Sequence, residues 1–317
     1  MMTAYIDEIL TSDIIEILHN GIKEELHSSN DDVNVTIDHV LAAHGKAVRP
    51  AFMALAAQFA GGTWDSVLKA AIVIESIHVS SLLHDDVIDG SEMRRGVETL
   101  NARYSDKISV LSGDYIFIKA VMLCHEFEDS RATSIILQAV ERMIRGEIRD
   151  SLVTSVINEE TYLSIAADKT ASLFAAAGEL GIMLSGGSEK EILRGRSIGE
   201  YIGTAFQIVD DTLDYRGDSQ VMGKPGLMDA IAGRMTLPLI YSLRKYTPEK
   251  IREMISGGRS SVQELSALVR SNGGIEYALG YARNYLDKAL EVSVQFGNRD
   301  AQNALENFIG ALIDRHF

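Results

Sequence analysis

Apolar residues recur along this chain at spacings of three and four, and nowhere do they alternate convincingly with polar ones. That period is the one an α-helix imposes on a side facing a core, so the pattern predicts an all-α protein. The sharpest case is Trp64 to Asp89, opened by Gly61-Gly62-Thr63 and closed by Gly90. At 1.5 Å per residue it would run roughly 39 Å. Val67, Leu68, Ala71, Ile72, Ile74, Ile77, Val79, Leu82 and Leu83 make it apolar nearly all round, which puts it at the centre of a helical bundle.

A second long helix is predicted over about Thr161 to Ser185, stopped by Gly186-Gly187. Ser188 and Glu191 have capping-box spacing for the next, which runs to about Tyr215. Thr247-Pro248 opens another with proline at its first position, and Ser261 with Glu264 forms a further capping box. The last two helices are expected over about Gly274 to Phe296 and Arg299 to His316. No Pro/Ser-rich linker, low-complexity tract or fixed-period repeat breaks the chain, so a single domain over 1–317 is expected.

Composition narrows the field. Apolar residues make up 46% of the chain, ample for a large core, and the net charge of −15 argues against a general nucleic-acid surface. The lone Cys124 can make no internal disulfide and offers one ligand at most to a zinc site. The first residues carry Asp7 and Glu8 and no basic stretch, unlike a secretory leader. A cytoplasmic protein is expected. No apolar run is expected to reach the roughly 18 to 20 residues of a membrane span, so membrane contact would come through a greasy substrate or product.

Two acidic clusters change the picture. His84-Asp85-Asp86-Val87-Ile88-Asp89 and Asp210-Asp211-Thr212-Leu213-Asp214 each end a long apolar helix, with Asp218 following the second. Residues four apart share a helix face, so Asp85 aligns with Asp89 and Asp210 with Asp214. The middle members, Asp86 and Asp211, sit about 100° round from their neighbours. One carboxylate pair at about 5 Å repels by roughly 3 kcal/mol at an effective dielectric near 20. The helix dipole also favours cations at this end. A cation resolves both conflicts, and an all-oxygen donor set suits Mg2+ held jointly with substrate phosphates. One such cluster is as easily a solvated surface; two of identical Asp-Asp-x-x-Asp form on core-like helices are not.

Basic residues stand where phosphates would be bound. Gly45-Lys46-Ala47-Val48-Arg49-Pro50 opens a helix, whose N-terminus favours anions. Arg94-Arg95-Gly96 follows the first cluster, Lys169-Thr170 lies mid-helix beside Asp168, and Gly223-Lys224-Pro225-Gly226 follows the second cluster.

These segments, with Gly113-Asp114-Tyr115, Lys169-Thr170-Ala171-Ser172-Leu173-Phe174 and Phe206-Gln207-Ile208-Val209-Asp210-Asp211, resemble the trans-polyprenyl diphosphate synthase family in order and spacing over about residues 45 to 240. The resemblance implies an all-α, isoprenoid synthase-like bundle around a deep cavity, usually a homodimer. It implies an enzyme that condenses isopentenyl diphosphate with an allylic prenyl diphosphate. Asp85, Asp86, Asp89, Asp210, Asp211 and Asp214 would hold Mg2+ on the allylic diphosphate, contacted also by Arg94, Lys169 and Lys224. Lys46, Arg49, His78 and Arg95 would bind isopentenyl diphosphate, and Thr170 and Gln207 would line the reacting carbons. Departures from the family are Ala47, often basic; Gly226-Leu227-Met228-Asp229, which lacks a second glycine; and Arg234 where lysine is expected, a change that keeps charge but alters hydrogen-bond geometry.

Chain length would depend on what blocks the cavity floor. Ser81 and Ser80 lie four and five residues before Asp85, about one turn deeper. Small residues there resemble long-chain enzymes, so a product beyond geranylgeranyl is expected, unless Ile77 or Ile74 closes the tunnel instead. Competing readings are a geranylgeranyl diphosphate synthase, a terpene cyclase, a non-catalytic partner subunit, and a di-iron bundle suggested by Glu75-Ser76-Ile77-His78. The cyclase would change the second Asp motif and lack the Lys46/Arg49 site. The partner subunit would lose a motif. The di-iron bundle needs a second Glu-x-x-His paired with this one across the core.

Overall fold

The computed structural model describes residues 12–43, 45–153, 157–216, 234–256 and 259–313. The all-α expectation holds. The helices are α1 Ser12–Leu26, α2 Asp31–Ala42, α3 Val48–Phe59, α4 Trp64–Ile88, the short α5 Leu100–Arg103, α6 Asp106–Leu123 and α7 Ser130–Ser151. They continue with α8 Glu159–Ala166, α9 Ser172–Leu184, α10 Glu189–Arg216, α11 Leu237–Leu243, α12 Pro248–Ser256, α13 Arg259–Ser271, α14 Gly274–Ser293 and α15 Arg299–Ile313.

The central helix is α4. Thr63 N donates to Ser66 Oγ at 3.3 Å at its start, and Gly90, with φ of 59°, ends it just beyond Asp89. It packs against α1, α3, α6 and α9, burying Val67, Val73, Ile74 and Ile77 completely or nearly so. By length and composition α4 and Asp106–Glu126 could each cross a membrane, so the sequence expectation of no such run was too strict. The apolar positions are interrupted by Ser, His and a few charges, Lys69 and Glu75 in α4 and Asp114 and Lys119 in α6, so neither helix reads as an unbroken apolar run. In α4 that apolarity is spent on the bundle core.

The second long helix is not continuous. It starts at Glu159, where the Asn158 side chain accepts from Thr161 N at 2.8 Å. A π turn over Ala167–Ala171 then separates α8 from α9. An extra residue per turn leaves the apolar spacing on each side intact, which is why the periodicity read as one helix. The Ser188/Glu191 box is present, with Ser188 N donating to Glu191 Oε2 at 2.8 Å. By contrast α13 begins at Arg259, so Ser261 lies inside its first turn rather than at the cap. The helix expected from Gly274 closes with a 3-10 turn at Val294–Phe296; the end expected at His316 lies outside the described residues.

Sequence alternation also missed one antiparallel pair, β1 Met93–Arg94 with β2 Val97–Glu98. Two-residue strands are too short to show a period. Arg95 (φ 52°) and Gly96 (φ 79°) form its two-residue turn, both in the left-handed region that such a hairpin requires.

Helices α9 and α10 meet backbone to backbone. A Cβ on Gly178 would lie 2.1 Å from Gly195 O, one on Gly199 2.1 Å from Phe174 O, and one on Gly203 2.5 Å from Ala171 Cα. Gly195, Gly199, Gly203, Gln207 and Asp211 form one i+4 row on α10. The glycines bring α9 close enough that Gln207, next in the row, reaches Thr170 on the π turn.

Candidate active site

The first acidic motif occupies the last turn of α4 and its cap. Asp86 is 2% exposed and accepts from Arg94 Nε at 2.9 and 3.1 Å. Asp89 pairs with Arg234, which joins the start of the Arg234–Leu243 segment to the end of α4. Asp85 lies on the α4 face of His78 and Ser81. Its carboxyl is pushed up to about 6, first by burial, then by Glu147 and Asp89, against Lys169 and Arg94. A carboxylate so disfavoured marks a place with too much negative charge and too little water.

In the second motif Asp210 is exposed, while Asp211 and Asp214 are buried. Asp211 accepts from Tyr162 Oη at 2.6 Å and from Gln207 Nε2 at 2.7 Å. The two middle aspartates, Asp86 and Asp211, thus orient Arg94 and Gln207. Arg95 links the motifs electrostatically, since Asp210 and Asp86 both favour its charge. Among the described residues no three His, Cys, Asp or Glu form a preformed metal-binding group. The donor set nevertheless fits a hard divalent cation that takes further oxygens from its ligand, and the raised Asp85 shows the uncompensated charge it would neutralise.

Lys169 and Thr170 project from the π turn. Thr170 Oγ1 donates to Gln207 Oε1 at 2.5 Å, so these two expected neighbours do meet. Lys169 Nζ lies 2.6 Å from Glu147 Oε2 and 2.9 Å from Asp150 Oδ2 on α7. Burial works against its charge, but Asp150 and Glu147 more than offset that and raise its pKa. Asp168, beside it, contacts Arg142, Arg145 and Arg149 at 3.1 to 3.4 Å. This anchors the turn to α7.

The third group of expected residues gathers where α3 begins. Ala47, with φ of 47°, turns the chain into α3 between Lys46 and Arg49. Arg49 is buried with its guanidinium 5.0 Å from the Phe174 ring centroid. Arg95 Nη1 donates to Ala43 O at 3.2 Å. A Cβ on Gly45 would sit 2.8 Å from that Nη1 and 3.1 Å from Glu75 Oε1, so a larger residue there would displace these two side-chain ends. Burial first, then Arg49, Arg95 and Arg94, hold His78 well below the usual imidazole range. It is therefore a neutral hydrogen-bonding ring among three guanidiniums. Glu75, buried among them, has its carboxyl raised by burial against the pull of Arg49 and Arg95.

The serines separate. Ser80 is 3% exposed and donates to Gly113 O at 2.9 Å, so it packs α4 on α6. Ser81 is partly exposed, donates to His78 O at 2.8 Å and shares the Asp85 face. A cavity of about 150 Å³ lies about a quarter turn away, between α1, α2, the hairpin and the Glu75–Val79–Leu82–Asp86 face of α4. Lys224, Asp218 and the Gly223-Lys224-Pro225-Gly226 segment lie outside the described residues. Cys124 is buried and its thiol pushed up to about 11 by burial, so it is not a nucleophile.

Sequence reading missed Glu147, Asp150 and Tyr162. The signal for the first two was available: Gly146-Glu147 and Asp150 put two acids at i, i+3 on one helix face. Tyr162 carried none.

The family model for polyprenyl synthetase matches residues 30–271. The chain is 32% identical to octaprenyl diphosphate synthase of Haemophilus influenzae, over 98% of each chain. It is 32% identical to heptaprenyl diphosphate synthase component 2 of Geobacillus stearothermophilus, over 89% of each. Its fold superposes with a TM-score of 0.90 and 31% identity on a polyprenyl synthase of Caulobacter crescentus solved with calcium and isoprenyl diphosphate, covering 99% of this chain and 98% of that one.

Proposed function

This chain belongs to the polyprenyl synthetase family, and from that membership we propose a Mg2+-dependent trans-prenyltransferase that adds isopentenyl diphosphate to an allylic prenyl diphosphate. The product is a polyprenyl diphosphate longer than geranylgeranyl. The observation that carries the reading is the pairing of two Asp-Asp-x-x-Asp motifs around a half-buried lysine and three guanidiniums.

In this reading Asp85 and Asp89, with Asp210 and Asp214, would hold the divalent cation on the allylic diphosphate. A bound divalent cation would neutralise the leaving diphosphate as the allylic C–O bond breaks. Arg94, oriented by Asp86, and Lys169 bind the same diphosphate and stabilise its growing charge. The Thr170 and Gln207 oxygens, fixed on each other, present dipoles to the allylic carbocation. Lys46, Arg49, Arg95 and neutral His78 hold the second diphosphate so that its double bond attacks that carbon. The proton lost afterwards goes to the departed diphosphate, with no side-chain base required. Water is kept away by the apolar α4 and α9 walls.

The proposal extends to a homodimer. Leu111, Ile118 and Met122 on α6, and Leu137, Ile144 and Ile148 on α7, are each exposed and fall at the same i, i+7, i+11 spacing. Two such stripes suit an apolar interface. A partner subunit in a multi-component synthase is the second reading, prompted by the name of the Geobacillus relative. Intact aspartates in both motifs favour a catalytic chain.

Incubation of the purified protein with isopentenyl diphosphate, Mg2+ and farnesyl or geranylgeranyl diphosphate, with products sized by mass spectrometry, tests this. A ladder ending beyond geranylgeranyl is expected. A stop at geranylgeranyl moves the floor deeper, to Ile77 or Ile74. No elongation with any primer refutes catalysis by this chain alone.

A further inference from the structure

The face of α7 carrying Gly146, Glu147 and Asp150 does more than pack. A Cβ on Gly146 would lie 2.4 Å from Lys169 N and 2.8 Å from Lys169 Cα, so the π turn rests directly on the α7 backbone. One residue and four residues on, Glu147 and Asp150 reach the Lys169 ammonium at 2.6 and 2.9 Å. All three side chains are between 22% and 23% exposed, so the group is shielded but open to a ligand.

An ammonium has three N–H donors on a flexible four-carbon stem. Two are committed here to acids fixed on one helix face, which leaves the third with one direction. The backbone below is fixed in turn by Gly146 and by the Asp168 contacts to Arg142 and Arg145. Without the acids, the stem would recover rotamer freedom and the ammonium would lose its aim.

We infer that Glu147 and Asp150 are positioning residues that hold Lys169 so that its remaining N–H meets the allylic diphosphate. This rests on the reading of Lys169 as a ligand of that diphosphate. The acids act through the lysine and touch neither substrate. The clamp predicts a cost in turnover rather than in capture of the second substrate, because Lys46, Arg49 and Arg95 stand apart from it.

The test is steady-state kinetics on Asp150→Ala, Asp150→Asn, Glu147→Gln, Lys169→Ala and the Lys169→Ala/Asp150→Ala double variant. Thermal melts confirm that each is folded. Asp150→Ala should lower kcat by about 10- to 100-fold, as a misplacement near 1 Å does, with KM for isopentenyl diphosphate unchanged. Asp150→Asn, which keeps an acceptor oxygen, should recover part of the loss, and isosteric Glu147→Gln should show a smaller loss. The double variant should be no worse than Lys169→Ala alone, since residues acting as one unit are non-additive. Losses that multiply would mean Asp150 acts independently of the lysine and would overturn the proposal. So would wild-type kcat in both Asp150→Ala and Glu147→Gln. Full turnover by Lys169→Ala would instead remove the reading of Lys169 itself, a result separable from the other two.

Discussion

Arg94 donates to both carboxylate oxygens of Asp86, through Nε at 2.9 and 3.1 Å and through Nη2 to Oδ1 at 2.8 Å. This pair fastens the hairpin to the last turn of α4. Breaking a buried pair from one side leaves an uncompensated charge and costs roughly 3 kcal/mol. Asp86→Ala should therefore lower the urea unfolding free energy by that order and weaken allylic turnover together. An unchanged unfolding midpoint would show the pair to be dispensable.

Ser80 and Ser81 should respond differently to the same enlargement. Ser81→Phe adds a ring on the Asp85 face and should shorten the product ladder. Ser80→Phe forces a ring into the α4–α6 contact, where overpacking costs roughly 1 to 3 kcal/mol. It should lower Tm with less effect on product length. Product sizing and melting curves of the two variants distinguish them; an unchanged ladder in Ser81→Phe counts against the open floor.

The carboxyl of Asp85 titrates near pH 6 when folded, against an ordinary value of 3.8. The native state then binds more protons than the unfolded state between about pH 4 and 6, so metal-free stability falls as pH rises through that window. A bound cation removes the penalty. Mg2+ should raise Tm more at pH 7 than at pH 5, and Asp85→Asn should abolish most of that difference. An Mg2+ increment independent of pH would contradict it.

Exposed Leu111, Ile118, Met122, Leu137, Ile144 and Ile148 predict association. Sedimentation should give twice the mass of one chain. Ile118→Asp combined with Ile148→Asp should give the single-chain mass with helical content retained. A wild-type monomer at micromolar concentration would remove the dimer.

Features set by local chemistry were legible in the sequence. The α4 boundaries followed from Gly62-Thr63 and Gly90, the α10 start from Ser188 and Glu191, and both Asp motifs from their spacing. Features set by a partner far along the chain were not. Asp168 reads as an ordinary acid until α7 brings three arginines to it. The π turn has no compositional mark, because one added residue preserves apolar spacing on both sides. Helical phase did carry the distinction between the serines: Ser81 is four residues from Asp85 and shares its face, whereas five residues turn Ser80 toward Gly113.

Position 95 holds two demands that no single residue meets. The backbone there is left-handed, which disfavours a residue with a Cβ by roughly 1 kcal/mol or more and suits glycine or asparagine. The guanidinium is what the proposed diphosphate site calls for. Any selection for thermal stability alone would drift toward Arg95→Gly, yielding a sturdier fold with a missing cation. A stabilised variant of this enzyme should therefore be sought with that turn held constant.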